Sequence, residues 1–356
     1  MAVEKFMGTT PQRAFVGIII IQAIAVLAMI GIAFAFVEVD VRTSSDSRYK
    51  TIPCYLAMFG LAEIFELAMA LDALKARNIV QLVGILAFHL GLVVFAALQV
   101  DEAHTALDLS KEAGCNTFAV LCDGSLWRKV EPFFIVNPII IAVSWIFMLF
   151  FVRKLFEEFG WAVFELVGAN PLTKTMYQWY QIMICLLKFD FFFFGSVTMQ
   201  LIILVLASNS VEFGLTVAAI PIVLLLLVGA GIAVQREIKW LMSISLVIML
   251  AAETYFSKQE IDMGLLLYKL VRFYEPSSRG EYISTRATLT FFTIIAFIIL
   301  FMTFGVGLRC FSDFDKGLTQ AKVQTVPEKV IYSSPNSPGV GGDRQSNYLD
   351  RRLSIE

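Results

Sequence analysis

The chain has 356 residues, of which 58% are hydrophobic and only 16% are charged, with a formal net charge of −2. Soluble globular domains usually carry about 25% charged residues, so this composition argues against a soluble fold. The chain has no basic stripe for a nucleic acid, and its five cysteines are too few for a disulfide scaffold. Its apolar residues come in long uninterrupted runs, and about 20 such residues cross a bilayer as a helix. The sequence therefore predicts an all-α, polytopic transmembrane helical bundle.

The apolar runs predict about eight transmembrane helices within a domain of residues 1–308. In chain order they are 14–37, 53–74, 79–99, 132–152, 182–207, 214–234, 239–256 and 287–308. The seventh run is the shortest, and a seven-helix arrangement that omits it stays open. The first run follows Lys5 and Arg13 but is longer than the apolar core of a signal peptide, about 7–15 residues. We therefore expect an uncleaved signal anchor.

Lys and Arg in the loops predict the orientation, because cytosolic loops are enriched in these residues. A cytosolic N-terminus places the basic loops near 75–77, 153–154 and 236–239 in the cytosol, together with the C-terminal tail. The loop 208–213, which has no Lys or Arg, then faces outward. The basic segment 257–286 opposes this orientation. Seven spans would move that segment to the cytosol but would reverse everything before it.

Two loops carry apolar residues at helical spacing. Residues 155–167 place an apolar face opposite Glu157, Glu158 and Glu165, which predicts a short helix lying in the membrane interface. Residues 261–274 show a similar pattern. A membrane-surface linker and a partner-binding helix are both compatible with each segment.

Residues 309–356 are predicted to form a disordered, cytosolic tail. The stretch 333–343 reads SSPNSPGVGGD and is too poor in apolar groups to pack a core. Ser334 and Ser337 each precede a proline, and Ser354 follows two arginines and a leucine. These serines are predicted phosphorylation sites, where a phosphate would add charge to the tail.

Three ionisable residues lie near the middle of the second and third spans. Glu63 is near the middle of the second span, Glu66 is one turn further on, and His89 is in the middle of the third span. A turn of only four residues joins these spans into a hairpin, so the depths of Glu63 and His89 should agree within about 2 Å. Charged groups at this depth are costly and usually mark function or a specific helix contact, so a proton relay or a cation site is compatible with them. A polar pair that only fixes helix docking is the alternative.

Lys188 and Asp190 in the fifth span are two residues apart, so they project from nearly opposite sides of the helix and cannot readily pair. In one interpretation Lys188 reaches the cytosolic interface and Asp190 lies just below it. In the other, Lys188 reaches a carboxylate such as Glu66. Three uncharged residues are predicted to be helix contacts: Gln22, Gln81 and Gln200.

Cysteines supply two further predictions. Cys115 and Cys122 lie in a loop that eight spans place outside the cytosol, where either a disulfide or two free thiols fit. Cys310 follows Arg309 at the end of the last span, where either palmitoylation or an inert thiol fits.

The sequence carries no motif that holds a cofactor or performs catalysis. It has only two histidines and no HExxH, GxSxG or P-loop pattern. His104 with Asp101 and Glu102 is too weak a set to indicate a metal. We expect no enzyme activity, no cofactor and no nucleic acid. The expected partners are the lipid bilayer and cytosolic proteins that bind the tail, and no substrate is indicated.

Three stretches are distinctive: YQWYQIMICLLKFDFFFF at 177–194, YKLVRFY at 268–274 and DKGL at 315–318. Together with the order of the spans, they resemble an uncharacterised family of fungal multi-spanning Golgi apparatus membrane proteins. The resemblance covers most of the chain before the tail. It implies a Golgi or other endomembrane location and supplies no activity or catalytic residue.

Two functional hypotheses follow. In the first, a non-enzymatic protein of the secretory pathway transports or senses a small solute or ion along a path lined by Glu63, Glu66 and His89. In the second, the protein is a membrane scaffold or trafficking protein, whose buried polar residues fix helix packing and whose tail binds cytosolic partners. An intramembrane enzyme acting on lipid is a third class, which no residue specifically favours.

Overall fold

The computed structural model describes residues 7–41, 51–107, 125–167, 171–205, 211–257 and 286–314. These residues form eight helices and no strand. The helices are α1 (Thr10–Val41), α2 (Thr51–Ala76), α3 (Ile79–Leu107), α4 (Ser125–Val167), α5 (Pro171–Gln200), α6 (Val211–Gln235), α7 (Lys239–Ser257) and α8 (Arg286–Asp313). A π-helical turn at Leu201–Val205 extends α5. The predicted class, a helical membrane bundle of about eight helices, is confirmed.

Six of these helices, α1 to α5 and α8, are long and apolar enough to cross a membrane. The helices α6 and α7 contain shorter apolar stretches, Ile220–Gln235 and Lys239–Met249. Pro221 lies inside α6, which continues through it. Neighbouring helices in a membrane bundle tolerate such a proline.

The helix α4 differs from the prediction of a span at 132–152 followed by a separate interfacial helix. It is one continuous helix of 43 residues, about 65 Å long at 1.5 Å per residue. Arg153 and Lys154 end the apolar run but not the helix, because the buried face continues in phase through Leu155 and Phe159. Nine residues before its end, Glu158 accepts hydrogen bonds from Thr9 and Gln12 at the start of α1.

The helices form two four-helix rings. In the first ring, α1 and α3 each pack against both α2 and α4. In the second ring, α5 and α7 each pack against both α6 and α8. We call them the N-bundle (α1–α4) and the C-bundle (α5–α8). They meet mainly where α3 and α2 contact α5 and where α3 contacts α8.

Two tight turns of the same geometry lie at one end of the molecule, which we call the turn end. Arg77 after α2 and Glu237 after α6 adopt φ values of 48° and 54°. The next residue of each turn donates its N–H to a carbonyl five residues back, Asn78 to Ala73 and Ile238 to Ala233. This is a Schellman-type C-cap. Asn78 Oδ1 also accepts from Gln81 N at 3.2 Å and so caps α3, which confirms the predicted α2–α3 hairpin.

An aromatic layer fills the contact between the two bundles. The rings of Phe65 and Phe88 from the N-bundle lie 4.7 and 4.8 Å from the ring of Phe192 on α5. Phe189 and Phe193 flank Phe192 on the same helix, and Phe292 of α8 stands 5.1 Å from Phe95. This layer holds the bundles together by close packing, since lipid removes most of the hydrophobic drive for helix association.

Candidate functional site: a buried polar cluster in the N-bundle

His89 lies at the centre of the candidate site and contacts two other helices. Its Nδ1 is 2.7 Å from Glu66 Oε1 on α2, and its Nε2 is 3.0 Å from the Ile141 carbonyl oxygen on α4. The side chains of His89 and Glu66 are completely buried. Glu66 lies ten residues before the end of α2 and His89 ten residues after the start of α3. The hairpin turn therefore brings them to the same depth.

The hydrogen bonds of His89 define where its protons lie. A carbonyl oxygen only accepts, so Nε2 carries a hydrogen and donates it to Ile141. One hydrogen is then shared between Nδ1 and Glu66 Oε1, either as an imidazolium–carboxylate pair or as a neutral imidazole that accepts from a carboxylic acid. The two forms differ by a proton shift along a single 2.7 Å contact. The proton can therefore move within the pair without a change of helix packing.

Glu63 lies one turn from Glu66 and contacts α1. Gln22 Nε2 donates to both of its carboxylate oxygens, at 3.1 and 3.3 Å. The sequence prediction considered Glu63 as the neighbour of His89, whereas the structure places Glu66 in that position. This cluster contains two carboxyl groups and one imidazole. If all three groups were ionised, one buried negative charge would remain uncompensated.

Several buried polar atoms of this cluster have no hydrogen-bond partner among the described residues. They are Gln22 Oε1, Glu66 Oε2 and both amide atoms of Asn137. Asn137 lies one helical turn from Ile141 on the buried face of α4, and its side chain is fully buried. Buried polar groups in native proteins almost always bond to protein or ordered water. The cluster, defined as Gln22, Glu63, Glu66, His89 and Asn137, therefore has hydrogen-bonding groups that an ordered water would satisfy.

The part of the chain that the structure describes contains no group of three or more His, Cys, Asp or Glu side chains that could hold a metal ion. Asp101, Glu102 and His104 do not form such a group there. The His89–Glu66 pair itself offers hydrogen bonding and proton transfer between its two members.

Lys188 and Asp190 contact different helices on opposite sides of α5. Lys188 Nζ contacts Asp72 Oδ2 of α2 and lies 3.3 Å from Gln81 Oε1 of α3. It thus pairs with a carboxylate near the turn end rather than with Glu66. Asp190 is buried and accepts from Thr303 Oγ1 of α8 at 2.6 Å. The expected failure of Lys188 and Asp190 to pair with each other agrees with this geometry.

Glu102 is a buried polar site that the sequence prediction missed. The predicted third span ends at residue 99, which leaves Glu102 in a loop, whereas α3 continues to Leu107. Tyr55 OH donates to Glu102 Oε2 at 2.5 Å, and Thr288 donates its N–H and its hydroxyl at 2.9 and 2.7 Å. The spacing of the buried residues Phe95, Gln99 and Glu102 continues the interior face of the helix and was the available signal.

Of the remaining predicted sites, one is buried in the structure and the others lie outside the described residues. Cys310 is buried on α8, with its Sγ 3.6 Å from the Trp179 carbonyl oxygen. Palmitoylation there stays a prediction and requires the thiol to leave this contact. Three predictions fall outside the described residues: the disulfide of Cys115 and Cys122, the phosphorylation of Ser334, Ser337 and Ser354, and the interfacial pattern in the segment 257–286, most of which is not described.

The helices and their lengths define a multi-pass integral membrane protein. The chain is similar to a protein of Schizosaccharomyces pombe described as a UPF0658 Golgi apparatus membrane protein. The two sequences are 25% identical over 337 residues, which cover 89% of this chain and 92% of the relative. This confirms the resemblance to an uncharacterised fungal family and supports a Golgi membrane location. No family model matches the chain, and no solved structure matches it.

Proposed function

We propose that this protein is a non-enzymatic, multi-pass Golgi membrane protein that transports or senses protons, or a small solute coupled to them, through the polar cluster of the N-bundle. The observation that carries this proposal is His89, held at zero exposure between Glu66 and the Ile141 carbonyl. Ionisable residues within a membrane are functional sites by default, because their burial is costly.

The unpartnered atoms of the cluster also support a hydrogen-bonded proton path. A cluster that only locks helices gains most when every donor and acceptor is satisfied. Here Gln22 Oε1, Glu66 Oε2 and the Asn137 amide are buried without a partner among the described residues. Water at these atoms would extend the hydrogen-bonded path from Glu66 toward α1 and α4. The proton is the ion we propose, because His89 Nδ1 and Glu66 Oε1 share one hydrogen along a 2.7 Å contact.

The same proposal includes an orientation with both termini in the cytosol. It rests on the basic residues Lys75, Arg77, Arg236 and Lys239, which lie at or beside the two turns of the turn end. Labelling of an Arg77→Cys variant only from the lumenal side would overturn this orientation.

Proton flux into liposomes tests the proposed function. The purified protein is reconstituted with an internal pH-sensitive dye, and flux is followed after an imposed pH gradient. We expect His89→Gln and Glu66→Gln each to lower the flux at least about tenfold, a cautious bound beside the roughly 10²–10⁴-fold that a positioned acid–base side chain typically contributes. Glu63→Gln should lower it as well if both carboxyl groups belong to one path.

A matched control removes a buried interhelical hydrogen bond in the other bundle. Thr303→Val breaks the bond to Asp190 and should leave the flux unchanged. If the cluster variants keep wild-type flux but lose thermal stability, the packing interpretation holds instead, and a scaffold or trafficking role becomes the better assignment.

A second readout is the ¹⁵N resonance of His89 in a His104→Gln background, which leaves a single histidine. A neutral ring protonated at Nδ1 would contradict the assigned hydrogen bonds.

A further inference from the structure

A long apolar groove runs between the two bundles, separate from the polar cluster. It has a volume of about 360 Å³ and is formed by one face each of α3, α5 and α8. Along α3 it extends from Val80 near the turn end to Leu92. That is about 18 Å at 1.5 Å per residue, roughly half the thickness of a bilayer core.

The groove has a floor of small residues and walls of aromatic ones. Gly84, Ala87 and Gly91 line it along α3, and phenylalanines of α5 and α8 stand on either side. Gly84 allows the closest approach of the helices, because an added Cβ would lie 2.8 Å from Phe189 Cε2. A Cβ at Gly91 would meet no atom of the described residues within 4 Å. The space above Gly91 is therefore open, whereas the space above Gly84 is filled.

The groove opens onto the lipid-facing surface. Val83 and Leu90 beside it on α3 are 53% and 48% exposed, and Ile298 on α8 is 50% exposed. These residues belong to membrane-spanning helices, so the medium that meets the groove is lipid. His89 points to the opposite side of α3, toward Glu66 and Ile141.

We propose that this groove binds one acyl chain of a membrane phospholipid. All its lining side chains are apolar, with Cys185 acting as a small hydrophobe, so a polar solute finds no partner there. A transmembrane helix of a partner protein is about 10–12 Å across with its side chains, whereas about 360 Å³ spread over the length of the groove leaves a much narrower space. An extended acyl chain matches both the length and the apolar lining. This site is independent of the proposed proton path, because no residue of the cluster lines it.

Photolabelling with a lipid probe tests the site. The full-length protein is reconstituted in phosphatidylcholine vesicles that contain a trace of phosphatidylcholine with a diazirine in its acyl chain. After illumination, labelled peptides are mapped by mass spectrometry. We expect label concentrated on groove residues of α3, α5 and α8, well above that at Ile24 of α1, which is 66% exposed on another surface.

A matched pair of glycine variants gives the specificity control. Gly91→Leu fills the open part of the groove and blocks the acyl chain, so groove labelling should fall about tenfold, which is about 1.4 kcal/mol in affinity. Gly31→Leu makes the same change on α1, where a Cβ also meets nothing within 4 Å, and should leave groove labelling unchanged. Gly91→Ala adds one methyl group and should fold as the parent does, with a smaller loss.

Two results would overturn the proposal. One is wild-type label spread evenly over all exposed lipid-facing positions, with Ile24 labelled as strongly as the groove. The other is labelling of the groove by a diazirine sterol but not by the phospholipid. Both use the unaltered chain, so neither depends on a variant that folds. Loss of proton flux in the cluster variants has no bearing on either result.

Discussion

Glu102 joins three helices through a single carboxylate. It accepts from Tyr55 of α2 and from both the N–H and the hydroxyl of Thr288, the third residue of α8. The first N–H groups of a helix have no partner within that helix, so Glu102 caps α8 from a neighbouring bundle. Its negative charge is also favourable at a helix N-terminus. The residue therefore links the N-bundle to the C-bundle at the end opposite the turns.

A graded substitution at Glu102 tests this role. Glu102→Leu removes every acceptor and strands the Thr288 N–H, which should lower the free energy of unfolding by about 2 kcal/mol. Glu102→Gln keeps one carbonyl oxygen for that N–H, and the hydroxyls of Tyr55 and Thr288 can rotate to accept from the new amide. We therefore expect the free energy of unfolding to fall by less than about 1 kcal/mol. Denaturant titration in mixed micelles measures both. Equal losses for the two variants would show that the amide does not replace the carboxylate.

The depth of the buried pair could be predicted from the sequence, but its partners could not. The short α2–α3 turn and the helical rise place Glu63, Glu66 and His89 near one level. Rotation about each helix axis then selects Glu66 for His89 and leaves Glu63 to Gln22. The third partner, the Ile141 carbonyl, is a backbone atom of a distant helix. No pattern of side-chain types in a sequence reports that contact.

At the level of the helices, close approach between α7 and α8 depends on one glycine. An added Cβ at Gly307 would lie 2.8 Å from Leu246 Cδ2 and 3.0 Å from Met242 Cε. Gly305, two residues earlier on the same helix, would meet nothing within 4 Å. The contrast marks which face of α8 packs against α7. Small residues allow this approach where helices associate in membranes.

Valine substitutions at the two positions form a matched pair. Gly307→Val must displace Leu246 and Met242, and we expect a loss of about 1–3 kcal/mol in the free energy of unfolding, the usual cost of overpacking. Gly305→Val has the same chemistry but open space, so its stability should stay within about 0.5 kcal/mol of the parent. Thermal unfolding in detergent compares them. A stable Gly307→Val protein would mean that α7 is not packed as described.

The helix ends show what apolar runs can and cannot reveal. A hydropathy run locates the part of a helix within lipid, and all eight predicted runs are helical where the structure describes them. A helix ends only where its backbone hydrogen bonds stop, which depends on caps and packing. For this reason α3 continues past residue 99 to Glu102, and α4 continues past Arg153 to reach α1 through Glu158.

The whole molecule is two four-helix bundles joined by three kinds of contact. Lys188 binds Asp72 near the turn end, Glu102 binds Thr288 at the opposite end, and the aromatic layer lies between them. The lipid groove lies along one side of the same contact. The sequence carries no internal repeat that would have divided the chain into these halves. The division arises from which helices pack together, and it is visible only in the assembled structure.

Reassembly of two halves tests how much the aromatic layer contributes. A break between α4 and α5, within residues 168–170, separates the bundles, and co-expressed halves should associate because their shared contact is intact. Phe192 is 2% exposed and packs against Phe65 and Phe88, with aromatic pairs worth about 0.5–1.5 kcal/mol each. Phe192→Ala should therefore lower the association constant at least about tenfold. Phe301→Ala removes a ring that is 61% exposed on α8 and should leave co-purification unchanged. Equal effects of the two substitutions would show that general loss of aromatic surface, and not the layer between the bundles, controls association.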